Sequence, residues 1–319
     1  MKIKVIGNFI FLSNQTKNTL EKLGELSLHD VNADEEALIK YGYDADIIIT
    51  WGKPTAKMIS KCPDLKFIGY MFTGYDAIVN DPLLVKALLK HNVTIAYAPG
   101  YAVEGVSDYA VSSLLAGIRK IVPAILNNRK SGYKEMFFNY MGGSINGSKV
   151  GIIGMGNIGS AVAQKLHGLG AEILSYTKHP DTKKLEIPVK FMSLKQLFKS
   201  ADHIVITAQL NKETTSLITK DLLLALPESA VVVNAARGKI INLDDLAQVA
   251  AQRLDMQFFI DEIEADPQLL KKIVAHDNVF ITPHFAAIAM PTMLKCTEIV
   301  TKNLVNYLQG KEFDKIPLT

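Results

Sequence analysis

The chain has 319 residues, 48% hydrophobic and 21% charged, with 35 basic against 32 acidic residues for a formal net charge of +3. At roughly 100 to 200 residues per domain that length suggests two domains, and the balance excludes a disordered or low-complexity chain. The lysines and arginines are scattered rather than striped, which excludes a basic nucleic-acid surface.

The start, MKIKVIGNFIFLSN, lacks the small-residue cleavage pattern of a secretory leader and reads as a first strand. From there, β-type runs at residues 3–7, 46–50, 67–70 and 94–96 alternate with helical stretches such as 83–90. That alternation predicts a parallel sheet covered by helices. Residues 103–128 place Val103, Val106, Ala110, Leu114, Gly117 and Ile121 at steps of three and four, predicting one long helix that can bridge domains. A second βα alternation follows through VGIIG, AEILSY, HIVIT, AVVVN, FFI and NVFI. Residues 291–309 form a last amphipathic helix, with Pro291 in its first turn and Gly310 beyond its end, expected to pack back on the N-terminal domain. Cys62 and Cys296 are far apart and without metal-ligand spacing. They fit packing residues in a reducing compartment, so the expectation is a cytoplasmic protein with no disulfide and no metal. No run approaches about 18 apolar residues, so no membrane span is expected.

Between the strand VGIIG and the next helix, Gly154, Gly156 and Gly159 stand in G-x-G-x-x-G spacing with Met155, Asn157 and Ile158 between them. The first glycine permits a tight turn, the second lets the backbone approach a pyrophosphate, and the third lets helix and strand pack closely. The helix N-terminus attracts the phosphate charge, so this segment predicts dinucleotide binding. About 20 residues on, where an NAD site places an acid for the ribose hydroxyls, the chain has Thr177, then Lys178 and His179. A hydroxyl and a cation there favour the 2′-phosphate of NADP, with NAD still possible; the bland alternative is a solvated loop with loose cofactor choice.

VVVNAARGKIINLDDL places Arg237 after one apolar strand, and NVFITPHFAA places His284 after another. With GMGNIG (154–159), FTGYDAIV (72–79), EGVSDYAVSSLLAGIR (104–119) and INGSKVGIIGMGNIG (145–159), in this order, the chain resembles the D-isomer-specific 2-hydroxyacid dehydrogenases over most of its length. The resemblance implies an α/β protein of two doubly wound parallel-sheet domains. A Rossmann-type cofactor domain (99–286) is inserted in a flavodoxin-like substrate domain (1–98 and 287–319), and the chain is expected to form a homodimer. It further implies hydride transfer between NADP(H) and C2 of a small 2-oxoacid or D-2-hydroxyacid. His284 would be the acid that protonates the carbonyl oxygen, and Arg237 the cation that holds the carboxylate and steadies the developing charge. Backbone N–H groups around Thr73, Gly74 and Tyr75 would grip the other carboxylate oxygen. Trp51, Met71, Tyr75 and Tyr101 are either pocket walls or plain packing.

One departure stands out. Five residues after the strand-end Asp the family normally carries Glu, which would favour the imidazolium of His284; here the count from Asp261 reaches Asp266, one methylene shorter. Asp266 is expected to take that role, with Glu262 and Glu264 as alternatives and a plain loop acid as the bland reading. Two rival functions stay open: a non-enzymatic dinucleotide-binding sensor or scaffold of the same fold, and oxidation of a small anion such as formate, against which the acid at 266 speaks.

Overall fold

The computed structural model describes residues 1–7, 11–133, 137–178, 180 and 185–318. The chain divides into two compact units, Met1–Ala102 with Ile288–Thr319, and Val103–Ala287.

The first unit holds five parallel strands, β1 (Lys2–Ile6), β2 (Glu25–His29), β3 (Ile47–Thr50), β4 (Phe67–Tyr70) and β5 (Thr94–Ala96), in the order β2-β1-β3-β4-β5. This is the flavodoxin-like order. Every residue of β3 and β4 is buried, as expected of a parallel sheet with helices on both faces. The edge strand β2, ELSLH, is only half-buried. It was not among the expected strands, because an edge needs no continuous apolar run and its polar residues dilute the signal. The C-terminal helix Met290–Leu308 packs within this unit as expected. Gly69 on β4 makes room for it, since a methyl group there would collide with Val300. Asn303 donates to the Tyr97 carbonyl at 2.9 Å, and the tail returns to β5 through Ile316 N–H to the Ile95 carbonyl at 2.9 Å.

The second unit holds seven parallel strands: β6 (Lys149–Ile153), β7 (Glu172–Tyr176), β8 (Lys190–Phe191), β9 (His203–Ile206), β10 (Val231–Asn234), β11 (Gln257–Ile260) and β12 (Val279–Ile281). Their order is β12-β11-β10-β9-β6-β7-β8. The chain builds outward from β6 to β8, then crosses back to lay β9 on the other side of β6. Open α/β sheets bind ligands at the carboxyl ends of strands beside such a reversal.

The expected long helix is instead two. Val103–Ile118 and Ile121–Ser131 meet at an angle of 58°. The break lies at Lys120, whose φ of 51° is left-handed, and Pro123 sits in the first turn of the second helix, where it cannot continue the first helix's hydrogen bonds. The first helix buries Ala110, Leu114 and Gly117, and Gly117 lies against Val231 and Phe259, so that a side chain there would meet both. The second helix buries none of its residues. Among the described residues no single helix is long and apolar enough to cross a membrane. Cys62 and Cys296 are both buried, which pushes their thiols up to about 11 and about 12, so they behave as packing residues.

Candidate active site

At the end of β6 the chain turns through Gly154, whose φ of +93° suits glycine and whose missing side chain leaves room for Ala208. Gly154 N–H donates to the Tyr176 carbonyl at 2.9 Å, tying the turn to the end of β7. Gly156 is the N-cap of the helix Asn157–Gly168, and no side chain caps that end. A Cβ at Gly156 would meet nothing within 4 Å, so the space over the first helical N–H groups is open to a phosphate. At Gly159 a side chain would strike the Gly154 carbonyl, which is the close helix-strand approach the third glycine permits. Met155 is buried beneath the turn, while Asn157 is exposed and Ile158 half-buried at the helix start. Sequence reasoning missed Thr207. Its hydroxyl, just past β9, donates to the Gly154 carbonyl at 2.7 Å and fixes the turn. The residues present therefore fit a dinucleotide.

Thr177 follows β7 and is half-buried; Lys178 is exposed, its Nζ 2.7 Å from both carboxylate oxygens of Glu213. His179 lies outside the described residues.

The carboxyl ends of the neighbouring strands β10, β11 and β12 carry the residues expected from the sequence to be catalytic. After β10, buried Asn234 accepts from Ala236 N–H at 3.0 Å and donates to the Arg237 carbonyl at 2.8 Å, which sets the turn from which half-buried Arg237 projects. Gly238 N–H donates to Glu262 at 3.1 Å, and Lys239 pairs with Glu264 at 2.6 Å, so the tails of β10 and β11 are laced together. After β12, His284 is exposed and adopts a φ of +55°, uncommon for a residue with a side chain. Its N–H bonds the Asp261 carbonyl at 2.7 Å and the Thr282 carbonyl at 2.9 Å. The loop wraps around the Asp261 carboxylate, which is 3% exposed and accepts from Thr282 Oγ1 (2.8 Å), Phe285 N–H (2.9 Å) and Ala286 N–H (3.0 Å). From the helix Val103–Ile118, the Tyr109 hydroxyl meets Thr282 Oγ1 at 2.8 Å, and its ring stands edge-on to Phe285.

The sequence profile of the D-isomer specific 2-hydroxyacid dehydrogenase NAD binding domain matches residues 111–286. The chain belongs to this family. A glyoxylate reductase of Thermococcus onnurineus is 28% identical over 295 residues, covering 89% of this chain and 85% of the relative. A glyoxylate reductase of Korarchaeum cryptofilum is 30% identical over 266 residues, 80% of this chain and 77% of the relative. The solved structure of an acyclic imino acid reductase in complex with NADPH and D-Arg is similar with a TM-score of 0.81 at 25% identity, over 99% of this chain and 100% of that one.

The second unit of this 2-hydroxyacid dehydrogenase is thus an NAD(P)-binding domain of the Rossmann type. In the sequence Asp261 is legible only as the start of a count, yet it is the acid around which the His284 loop is built. An acid directly after the buried strand QFFI, at the carboxyl end of a parallel sheet, is the signal that marks it. Asp266 caps the helix Pro267–Val274, accepting from Gln268 N–H at 2.9 Å and Leu269 N–H at 3.4 Å. Among the described residues none of Glu262, Glu264 and Asp266 hydrogen-bonds the His284 imidazole.

In the first unit, the loop after β4 is held by Thr73 Oγ1 donating to the Ala98 carbonyl at 2.8 Å and by Ala98 N–H returning to the Phe72 carbonyl at 3.0 Å. Tyr75 stands edge-on to Tyr97. Thr73 is exposed and Gly74 and Tyr75 half-buried, and among the described residues their backbone N–H groups have no hydrogen-bond acceptor. Met71 and Tyr101 are buried, and Trp51 covers the glycine at position 7.

Proposed function

We propose that the chain is an NADPH-preferring reductase of small 2-oxoacids, producing the D-2-hydroxyacid. The observation that carries this reading is the placement of Arg237 and His284 at the carboxyl ends of β10 and β12, in the same sheet whose β6 ends in the glycine turn. When bound, the reduced nicotinamide supplies a hydride to C2 of the substrate. Negative charge then develops on the carbonyl oxygen. His284 donates the proton to that oxygen, and in the oxidative direction takes it back from the hydroxyl. Arg237 holds the substrate carboxylate through its guanidinium fork and offsets the developing charge. Among the described residues the N–H groups of Thr73, Gly74 and Tyr75 have no acceptor, which supports a substrate-binding role for this loop and the reading of the first unit as the substrate domain.

Asp266 is assigned as the anion that favours the imidazolium of His284. Capping the helix Pro267–Val274 holds its carboxylate in place. The NADPH preference rests on Thr177 and Lys178 at the end of β7, where the strand end itself carries no acid. A homodimer is supported by the helix Ile121–Ser131, which leaves Ile121, Ile125 and Leu126 more than 40% exposed and buries nothing. Sedimentation should give twice the 35.1 kDa chain mass.

The deciding experiment is oxidation of NADPH and of NADH against glyoxylate, hydroxypyruvate, pyruvate and branched 2-oxoacids, with the product resolved by chirality. A D-hydroxyacid formed faster with NADPH is the expected result. Absence of turnover across the panel, with dinucleotide binding retained, would replace this reading with a dinucleotide-binding sensor.

A further inference from the structure

Lys178 is not an unencumbered cation waiting for a phosphate. Its Nζ is 2.7 Å from both oxygens of Glu213, and both side chains are about two-thirds exposed. Glu213 belongs to the segment after β9, the strand on the other side of β6 from β7. That segment is braced: Asn211 Oδ1 accepts from Glu213 N–H at 2.8 Å and Thr214 N–H at 3.1 Å, while Thr214 Oγ1 donates to the Gln209 carbonyl at 2.7 Å. At its root Ala208 lies against Gly154 of the glycine turn. The end of β7 and the loop after β9 therefore flank that turn, and the Lys178–Glu213 pair closes across it.

We propose that Glu213 is a specificity-determining residue for the cofactor, supplying from the loop after β9 the carboxylate that the end of β7 lacks. The inference rests on the dinucleotide reading of the glycine turn but not on which cofactor the wild type prefers. A carboxylate within reach of the ribose accepts hydrogen bonds from its free hydroxyls, which favours NADH. Toward NADPH the same group acts in the opposite sense. It occupies Lys178 and places a negative charge beside a 2′-phosphate carrying −1.5 to −2 charges. One unit charge about 5 Å from such a phosphate, in water-like dielectric and moderate salt, changes affinity by about five- to tenfold. Glu213 thereby holds the site in a range where both cofactors bind.

The test is nicotinamide-fluorescence titration of the full-length chain with NADPH and with NADH, comparing wild type, Glu213→Gln and Lys178→Gln. Glu213→Gln should tighten NADPH about fivefold and weaken NADH about twofold or more, with the NADPH gain shrinking at high salt. Lys178→Gln should weaken NADPH about fivefold. A Glu213→Gln protein whose two affinities move together, or whose NADPH-to-NADH ratio is unchanged, overturns the proposal. An NADH-preferring wild type in which Glu213→Gln still shifts the ratio toward NADPH would sink the NADPH preference and uphold the role of Glu213.

Discussion

The two halves of the seven-stranded sheet do their work by different means. On the β6–β7 side, the site is made of backbone: Gly154, Gly156 and Gly159 act through what they lack, and the helix N-terminus acts through its N–H groups. On the β10–β12 side, it is made of side chains on loops whose backbone other side chains hold, with the buried Asp261 carboxylate organising the loop that presents His284. The first arrangement binds. The second carries the residues proposed to react, and on that proposal damage on the second side should spare cofactor affinity while removing turnover.

The largest effect should come from His284→Ala, which lowers kcat by about 10² to 10⁴, the usual worth of a positioned acid-base group. NADPH affinity should stay within about twofold, and near-wild-type turnover would exclude the role. Next is Asp261→Ala. It strips the acceptor from Thr282 Oγ1 and two loop N–H groups, each worth about 1 kcal/mol or more when left buried and unpaired. The protein should lose several degrees of Tm as well as turnover; an unchanged Tm would show that the loop does not depend on Asp261. Thr177→Asp sharpens the comparison from the binding side. It should shift the kcat/KM ratio toward NADH by about tenfold, equivalent to about 1.4 kcal/mol, with little change in the better cofactor's kcat. A ratio that does not move would remove the end of β7 from cofactor choice.

Smaller still is Asp266→Asn. Asn caps a helix about as well as Asp, so stability is preserved while the charge is removed. If Asp266 favours the imidazolium, the alkaline fall of kcat/KM for the oxoacid moves to lower pH; superimposable profiles would pass the role to Glu262 or Glu264. The smallest effect on catalysis belongs to the opposite end of β11. There the Arg253 guanidinium, bonded at 2.8 and 2.9 Å, holds the Asp255 carboxyl down to about 2. Its folded value lies below the unfolded one, so its stabilising contribution is complete above about pH 4 and is lost as pH falls towards 2. Asp255→Asn should flatten the acid loss of Tm between those limits and leave turnover at neutral pH unchanged.

The difference between the two sides also explains what the sequence made legible. The glycine turn, the buried strands IIIT, VVVN and FFI, and the placement of Arg237 and His284 after strands follow from spacing and from apolar runs, which depend on local conformation alone. Lys120 offered no comparable signal: nothing in apolar steps of three and four marks a left-handed residue, and Ile121 continues the pattern across the break. The choice among Glu262, Glu264 and Asp266, and the part played by Asp261, were equally closed to spacing. Four acids within six residues end on four different partners: the His284 loop, Gly238 N–H, Lys239 and a helix N-terminus. Which donor each one meets is decided by tertiary packing. The pairing of Lys178 with Glu213, 35 residues apart, is of the same kind.

The separation of binding from chemistry is tested most directly by Asp261→Asn, with NADPH affinity and the single-turnover rate of oxoacid reduction measured on one preparation. The amide keeps an acceptor for part of the loop but loses the carboxylate that three donors share. The predicted result is an NADPH Kd within about twofold of wild type and a reduction rate lower by at least about tenfold. An unchanged rate, or affinity and rate falling together, would contradict the account.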